Sequence, residues 1–274
     1  MAPLTLRNCA TVAEAAAALT NERDARYFGG GTLVMRDVNE GDLSFSALVR
    51  TTDRSLARIE TTGQRFVLGA GVTYAAVLAE RELAFLHPVA RSIGGPAVRN
   101  MGTIGGNLFA PAPFGDFAAA LLALDATVLL QGGYANRETP IEDFLAARER
   151  SFGALVLAVS FARPAGPEAF RYRKMARVKP KGGSVVTVAA HLPTSGGRVM
   201  GARIAFGSMG ATALRAKSAE RALEGRPLDA AAISAAANAA LEGLSPVDDA
   251  LASAWYRREV ASVQLRRLLS GEAS

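Results

Sequence analysis

The sequence predicts an α+β fold in two units, residues 1–166 and 167–274. Three observations carry this. In the first unit, short strand and helix patterns alternate irregularly, which suits two small sheets better than a regular doubly wound sheet. The stretch Ala162-Arg163-Pro164-Ala165-Gly166-Pro167 then breaks the pattern with two prolines and a glycine, a composition that marks a linker. Beyond it, three strand patterns precede three helix patterns, the order of a separate α+β domain.

Each element has a local reason. Residues 11–19 read as a helix, because Thr11 stands at an N-cap position, Glu14 completes a capping-box pattern, and alanines fill the body. Arg26-Tyr27-Phe28 is a short strand into Gly29-Gly30-Gly31, Thr32 to Met35 begins a helix or turn, and 46–49 is another strand. Residues 66–72 read as a buried strand ending in small residues, after which Thr73 caps a helix over 74–83. Phe85-Leu86-His87-Pro88-Val89-Ala90 is an apolar run broken by proline. Val98-Arg99-Asn100 then leads into three more glycines, Gly102, Gly105 and Gly106. A helix is expected over 116–124 and a strand over 126–131, turning at Gly132-Gly133. In the second unit, strands at 170–176, 185–192 and 199–206 form an antiparallel meander, joined by the turn signals of 179–183 and 193–197. Helices follow at 216–223, 228–241 and 253–269, with Pro227 and Gly243 at the ends of the second.

Composition narrows the function. The chain has 274 residues, half of them hydrophobic, enough for one large domain or two modest ones. Its one cysteine, Cys9, allows no disulfide within the chain and no iron–sulfur or zinc cluster, and two histidines alone make no metal site. The net charge of +6 comes mostly from dispersed arginines, apart from Arg171, Arg173, Lys174, Arg177, Lys179 and Lys181. There aromatic and basic residues alternate with period two, so a half-buried strand with a solvated basic face is expected rather than a nucleic-acid site. The start lacks the basic and apolar segments of a signal peptide, and no apolar stretch is long enough to span a membrane. A soluble, cytoplasmic chain is expected.

The two glycine clusters point to a ligand. Glycines at this density leave backbone N–H groups bare and let a ligand approach the main chain, and successive bare N–H groups form an anion-binding nest. Each cluster alone is better explained as a turn. Together they suggest two arms around the pyrophosphate of a dinucleotide. Neither the G-x-G-x-x-G fingerprint nor the G-x-x-x-x-G-K-[ST] loop is present.

Gly29-Gly30-Gly31-Thr32-Leu33 and Thr103-Ile104-Gly105-Gly106-Asn107 resemble the paired FAD loops of the molybdenum hydroxylase flavin subunits. That family includes the medium subunit of carbon monoxide dehydrogenase and the flavin domain of xanthine dehydrogenase. The second loop fits the family's T-[IV]-G-G-N in context; the first departs from members that carry Ala-Gly-Gly-His or a second polar residue before the leucine. The resemblance spans nearly the whole chain, through Arg203-Ile204-Ala205-Phe206-Gly207 and Trp255-Tyr256-Arg257-Arg258-Glu259.

The resemblance implies a vanillyl-alcohol-oxidase-type FAD-binding domain of two subdomains, followed by the family's C-terminal domain. It implies noncovalent FAD held by Gly29 to Leu33 and Thr103 to Asn107. Asp116 matches an acid that bonds the cofactor's sugar portion, and equally suits an N-cap for the helix beginning there. Ile93 falls where an apolar residue lies against the ring system, or is a plain core residue. Leu157 and Lys174 match two further contacts, with a solvated lysine the alternative for Lys174. No side-chain constellation for acid–base, nucleophilic or metal catalysis accompanies these motifs, so the cofactor is expected to carry the chemistry. By resemblance the chain relays electrons within a heterotrimer. A large partner holds molybdopterin, a small partner holds two [2Fe-2S] clusters, and a dimer of heterotrimers is allowed. The acceptor is left open among NAD, a quinone, a cytochrome and oxygen. A self-contained FAD oxidoreductase and a cofactor-free binding module remain the alternatives.

Overall fold

The computed structural model describes residues 4–22, 24–41, 44–132, 135–178 and 182–272. Gly133 of one expected turn and Lys179 to Lys181 of another lie outside the described residues. The first lobe contains β1 (Thr5–Cys9), α1 (Val12–Asn21), β2 (Ala25–Tyr27), α2 (Val34–Asn39) and β3 (Ala47–Thr51). Its strands pair in parallel in the order β1-β3-β2. Thr11 caps α1 as expected, its Oγ1 accepting from the Glu14 amide at 3.2 Å. The Glu14 carboxylate reaches back to the Ala10 amide at 2.8 Å, one residue short of the standard box. Ala15, Ala16 and Leu19 of α1 pack on Ala47 and Val49 of the sheet and on Leu155 of the next lobe.

The second lobe follows as β4 (Ile59–Thr62), β5 (Arg65–Gly69), α3 (Tyr74–Ala79), α4 (His87–Arg91), α5 (Pro96–Met101), α6 (Ile104–Leu108), α7 (Asp116–Ala123), β6 (Thr127–Gly132), β7 (Ala135–Pro140), α8 (Ile141–Ala146) and β8 (Leu155–Ala162). Its five strands form an antiparallel sheet in the order β4-β5-β8-β6-β7. Thr73 caps α3 through the Ala76 amide. The helix stops at Ala79 rather than Leu83, because extended Glu80 offers its carboxylate to the Glu82 amide at 3.1 Å and starts a separate 3-10 turn. Pro88 does not break the apolar run. It sits in the first turn of α4, where a missing N–H costs nothing.

The remaining elements are β9 (Phe170–Ala176), β10 (Ser184–His191), β11 (Thr194–Ser195), β12 (Arg198–Val199), β13 (Arg203–Gly207), β14 (Leu214–Arg215), α9 (Lys217–Leu223), α10 (Ala230–Ala239) and α11 (Ala254–Leu269). The expected meander is present with an added edge strand, in the order β14-β13-β10-β9. The strand expected over 199–206 is divided, because Gly201 takes φ +71° between β12 and β13. Side chains alternate across this sheet. Ala189 and Ala205 join the core around α7, while Val188, Ala190, Ile204 and Phe206 meet α9, α10 and α11. Helix α7 is therefore covered on all sides, and every residue in it is buried.

The basic strand is not a solvated face. Arg171 Nη1 donates to the Leu269 carbonyl at 2.5 Å and Arg173 Nε to Gln264 at 2.7 Å, both on α11. On the opposite face, Lys174 pairs with Asp116 of α7 at 2.7 Å. The strand lies between two layers, and its cations take partners on both.

Arg257 of α11 is 1% exposed. Its guanidinium bonds the carbonyls of Ser184, Val185 and Ser208 and pairs with Asp249 at 2.5 Å. Two residues away, Trp255 is 69% exposed. Replacing Arg257 with Leu leaves three carbonyls and a carboxylate without their donor. The expected loss is about 3 kcal/mol, read as a lower denaturant midpoint by circular dichroism; an unchanged midpoint would show that the buried guanidinium does not hold α11 in place.

Candidate functional site

A cleft of about 610 Å³ lies between the two lobes, within the size range of small-molecule and cofactor sites. Gly29 to Leu33 form one wall, and Thr103, Gly105, Gly106 and Asn107 another. Ala70, Ala154 and Val156, from beside β5 and on or beside β8, close the floor.

The two glycine segments differ in how their amides are used. Among the described residues, the amides of Gly29, Gly30, Gly31, Thr32 and Leu33 have no protein acceptor. This is the bare nest expected from the sequence. The second segment is instead a helix start. Thr103 caps α6, its Oγ1 accepting from the Gly106 amide at 3.1 Å. The Ile104 and Gly105 amides donate to the carbonyls of Val72 and Ala70 at 2.9 and 2.8 Å. The expectation of bare N–H groups fails there because α6 docks on the strand end that precedes α3.

The glycines also answer to contacts within the protein. A Cβ on Gly30 would stand 1.8 Å from the Met101 carbonyl oxygen, and one on Gly105 would stand 2.7 Å from Ala70 Cβ. Gly31 has φ +71° and packs on the Phe28 ring. Gly106 is different: a Cβ there meets only Thr103 Oγ1, at 3.0 Å, and otherwise opens onto the cleft.

Asn107 joins this wall to α7. Its Oδ1 accepts from the Ala118 amide at 2.9 Å and its Nδ2 donates to the Phe114 carbonyl at 3.2 Å. Asn107 therefore supplies the side-chain cap of α7, the alternative role considered for Asp116. Asp116 is the first helical residue, 3% exposed. Its carboxylate accepts from Ser184 and Thr187 hydroxyls and from Lys174 Nζ, which also donates to the Ser92 carbonyl at 3.1 Å. Beside it, burial holds the Tyr172 phenol well above its ordinary pKa, and Tyr172 shares a 2.8 Å hydrogen bond with Ser92.

Asp116, Lys174, Ile93, Ile104 and Leu157 do not line the main cleft. Ile104 is fully buried in the core, and Ile93 is half-buried against it in the turn between α4 and α5. Leu157 is half-buried on β8 and gives its carbonyl to the Ala70 amide at 2.9 Å.

Several wall residues carry no sequence motif. The Arg26 guanidinium lies 4.1 Å over the Phe152 ring, which stacks on Phe109 at 5.4 Å. Phe45, Tyr74, Arg148 and Glu149 complete this part. Burial pushes the Tyr27 phenol up to about 12 and raises that of Tyr74, so both stand neutral at the cleft. Arg26 precedes the first glycine segment by three residues and could have been noticed; nothing in the sequence places Phe152 or Arg148 opposite it. Bare amides on one wall and aromatic rings among the lining suit a ligand with anionic and flat parts, as a flavin dinucleotide has.

Comparison with known proteins agrees. The model of the FAD binding domain in molybdopterin dehydrogenase matches residues 4–163, and that of the CO dehydrogenase flavoprotein C-terminal domain matches 170–271. The chain is 31% identical to the carbon monoxide dehydrogenase medium chain of Afipia carboxidovorans, over 94% of this chain and 92% of that one. It is 30% identical to the 6-hydroxypseudooxynicotine dehydrogenase complex subunit alpha of Paenarthrobacter nicotinovorans, over 90% and 86%. Among solved structures, the carbon monoxide dehydrogenase of Hydrogenophaga pseudoflava superposes with a TM-score of 0.89 at 26% identity, covering 98% of this chain and 96% of that one.

The contacts separate two neighbouring glycines. Gly106→Val should keep the fold yet bind FAD at least about tenfold more weakly, a loss of ~1.4 kcal/mol, because the new side chain enters the cleft. Gly105→Val should cost about 1–3 kcal/mol of stability through overpacking. Melting curves and flavin content of both purified variants check this; full flavin occupancy in a folded Gly106→Val would remove this helix from the site.

Proposed function

Because the chain belongs to the family of FAD-binding domains in molybdopterin dehydrogenases, we propose that it carries electrons from iron–sulfur clusters to an external acceptor within a heterotrimeric molybdenum hydroxylase. The large partner holds molybdopterin and the small partner two [2Fe-2S] clusters. The relatives' names support a subunit role, since they are a medium chain and a complex subunit. Residues 1–166 make the FAD-binding unit and 167–274 the C-terminal unit.

The observation that carries the reading is the run of free amides from Gly29 to Leu33 on a cleft that joins both glycine segments. These amides would hold the diphosphate, with the Thr32 hydroxyl beside them, and Thr103 to Asn107 would form the facing wall. Asp116 and Lys174 would stand beyond the open cleft toward the flavin ring, with Ile93 against it and Leu157 behind the floor. The Lys174 ammonium is compensated by Asp116 at 2.7 Å, so the two would meet the ring as a polar pair with little net charge. Bound FAD supplies a carrier able to exchange electrons singly or in pairs.

The chain's own side chains position and enclose. Asp116 is saturated by three donors, and the Tyr27 and Tyr74 phenols are neutral; of the carboxylates that line the cleft, Asp37 lies 3.4 Å from Arg36 and Glu149 is exposed to water. Substrate oxidation then belongs to the large partner, and this chain closes the path to the acceptor. No helix among the described residues is long and apolar enough to cross a membrane, and the proposed location is the cytoplasm.

Two results are expected. Acid or heat should release the flavin as FAD, one per chain, with none left on the denatured protein. The FAD-loaded chain alone should pass electrons to an artificial acceptor after chemical reduction, yet not turn over the substrate of the whole complex. Turnover by the isolated chain near the rate of the complex would favour the self-contained oxidoreductase instead, and a colourless chain that takes up no flavin would favour the binding module.

A further inference from the structure

Arg148 is 9% exposed and lines the cleft. Its one hydrogen bond among the described residues runs from Nη1 to the Ala110 carbonyl at 2.9 Å. Among the described residues, no carboxylate lies within ion-pair distance of it. The neighbouring Glu149 is exposed to water and screens it only from a distance. Three other cations with little exposed side chain each have an anionic partner: Lys174 has Asp116, Arg215 has Glu220 and Arg257 has Asp249. A buried charge without a partner is costly, and burial already draws the Arg148 pKa down. Nε and Nη2 are not sealed in the protein. Arg148 also borders a recess of about 10 Å³, no larger than one water. The cleft is thus the space where an anion can meet this guanidinium.

We infer that Arg148 is the charge partner of the dinucleotide's diphosphate, adding a side-chain cation to the backbone amides of the first glycine segment. This rests on the cofactor reading above. The diphosphate is the anionic part of FAD, and a planar guanidinium matches phosphate oxygens with two parallel N–H donors. The Ala110 carbonyl holds Nη1 and thereby orients the rest of the guanidinium toward the cleft. Arg26, the other cation on this wall, is committed to the Phe152 ring at 4.1 Å and offers a flat face rather than a fork.

The test separates charge recognition from fold. The deflavinated full chain and its Arg148→Gln variant are titrated with ADP and with adenosine by calorimetry. Wild type should prefer ADP, and the variant should lose roughly 10- to 100-fold of ADP affinity, as for a charge-assisted hydrogen bond, with adenosine affinity unchanged. Equal losses for both ligands, or no loss for ADP, would overturn the assignment. Should the glutamine variant fail to fold, Arg148→Lys serves: its preference for ADP should fall severalfold, and an unchanged preference overturns the inference. Wild type that binds FAD but shows no preference for ADP over adenosine also refutes the role of Arg148 while leaving the cofactor reading standing. Wild type that binds neither FAD nor ADP removes both.

Discussion

The cleft exists because two backbones touch without side chains between them. Gly30 lies so close to the Met101 carbonyl that no Cβ fits, and Gly105 sits against Ala70 with the same restriction. The first contact sets how closely the parallel lobe approaches the antiparallel lobe, and the second seats α6 on the end of β5 within the latter. They also fix which amides remain free. The second segment spends its N–H groups on Ala70, Val72 and Thr103, and the first keeps its own for whatever enters. The glycines of a ligand loop are often read as openings for the ligand; here two of them are openings for the protein itself.

The two units depend on each other through α7. Its residues are covered by the second lobe on one side and by β10 and β13 on the other. The Asp116–Lys174 pair, with Ser184 and Thr187 bonded to the same carboxylate, crosses that boundary. A buried pair of this kind adds little net stability but is strongly penalised when one member is lost, so it serves register more than strength. It fixes β9 against α7, and with it the half of the molecule that stands next to the cleft.

Much of this was legible in the sequence, where local chemistry decides. Thr11 and Thr73 cap the helices that their positions suggest. The three-strand, three-helix order of the second unit is likewise in the pattern. What could not be read depends on layers. Period-two alternation in Phe170-Arg171-Tyr172-Arg173 reports two faces but not that both are covered, so the arginines looked solvated although they bond α11. The glycine motif located the cleft, yet the helical state of Thr103 to Leu108 arises from docking on Ala70 and Val72. Arg148 and Phe152 sit on the connection between α8 and β8, far in sequence from either glycine segment, and only the sheet order brings them near.

Trp255 is the chain's one tryptophan, and it is 69% exposed at the start of α11. Its indole meets water in the folded state much as it would in the unfolded one. Intrinsic emission is therefore a poor reporter of unfolding here, and the protein could lose its core with little change of colour. The same exposure makes it a good reporter of contact. Any surface that settles over the first turn of α11 would dry the ring and shift its emission to the blue, with no label introduced.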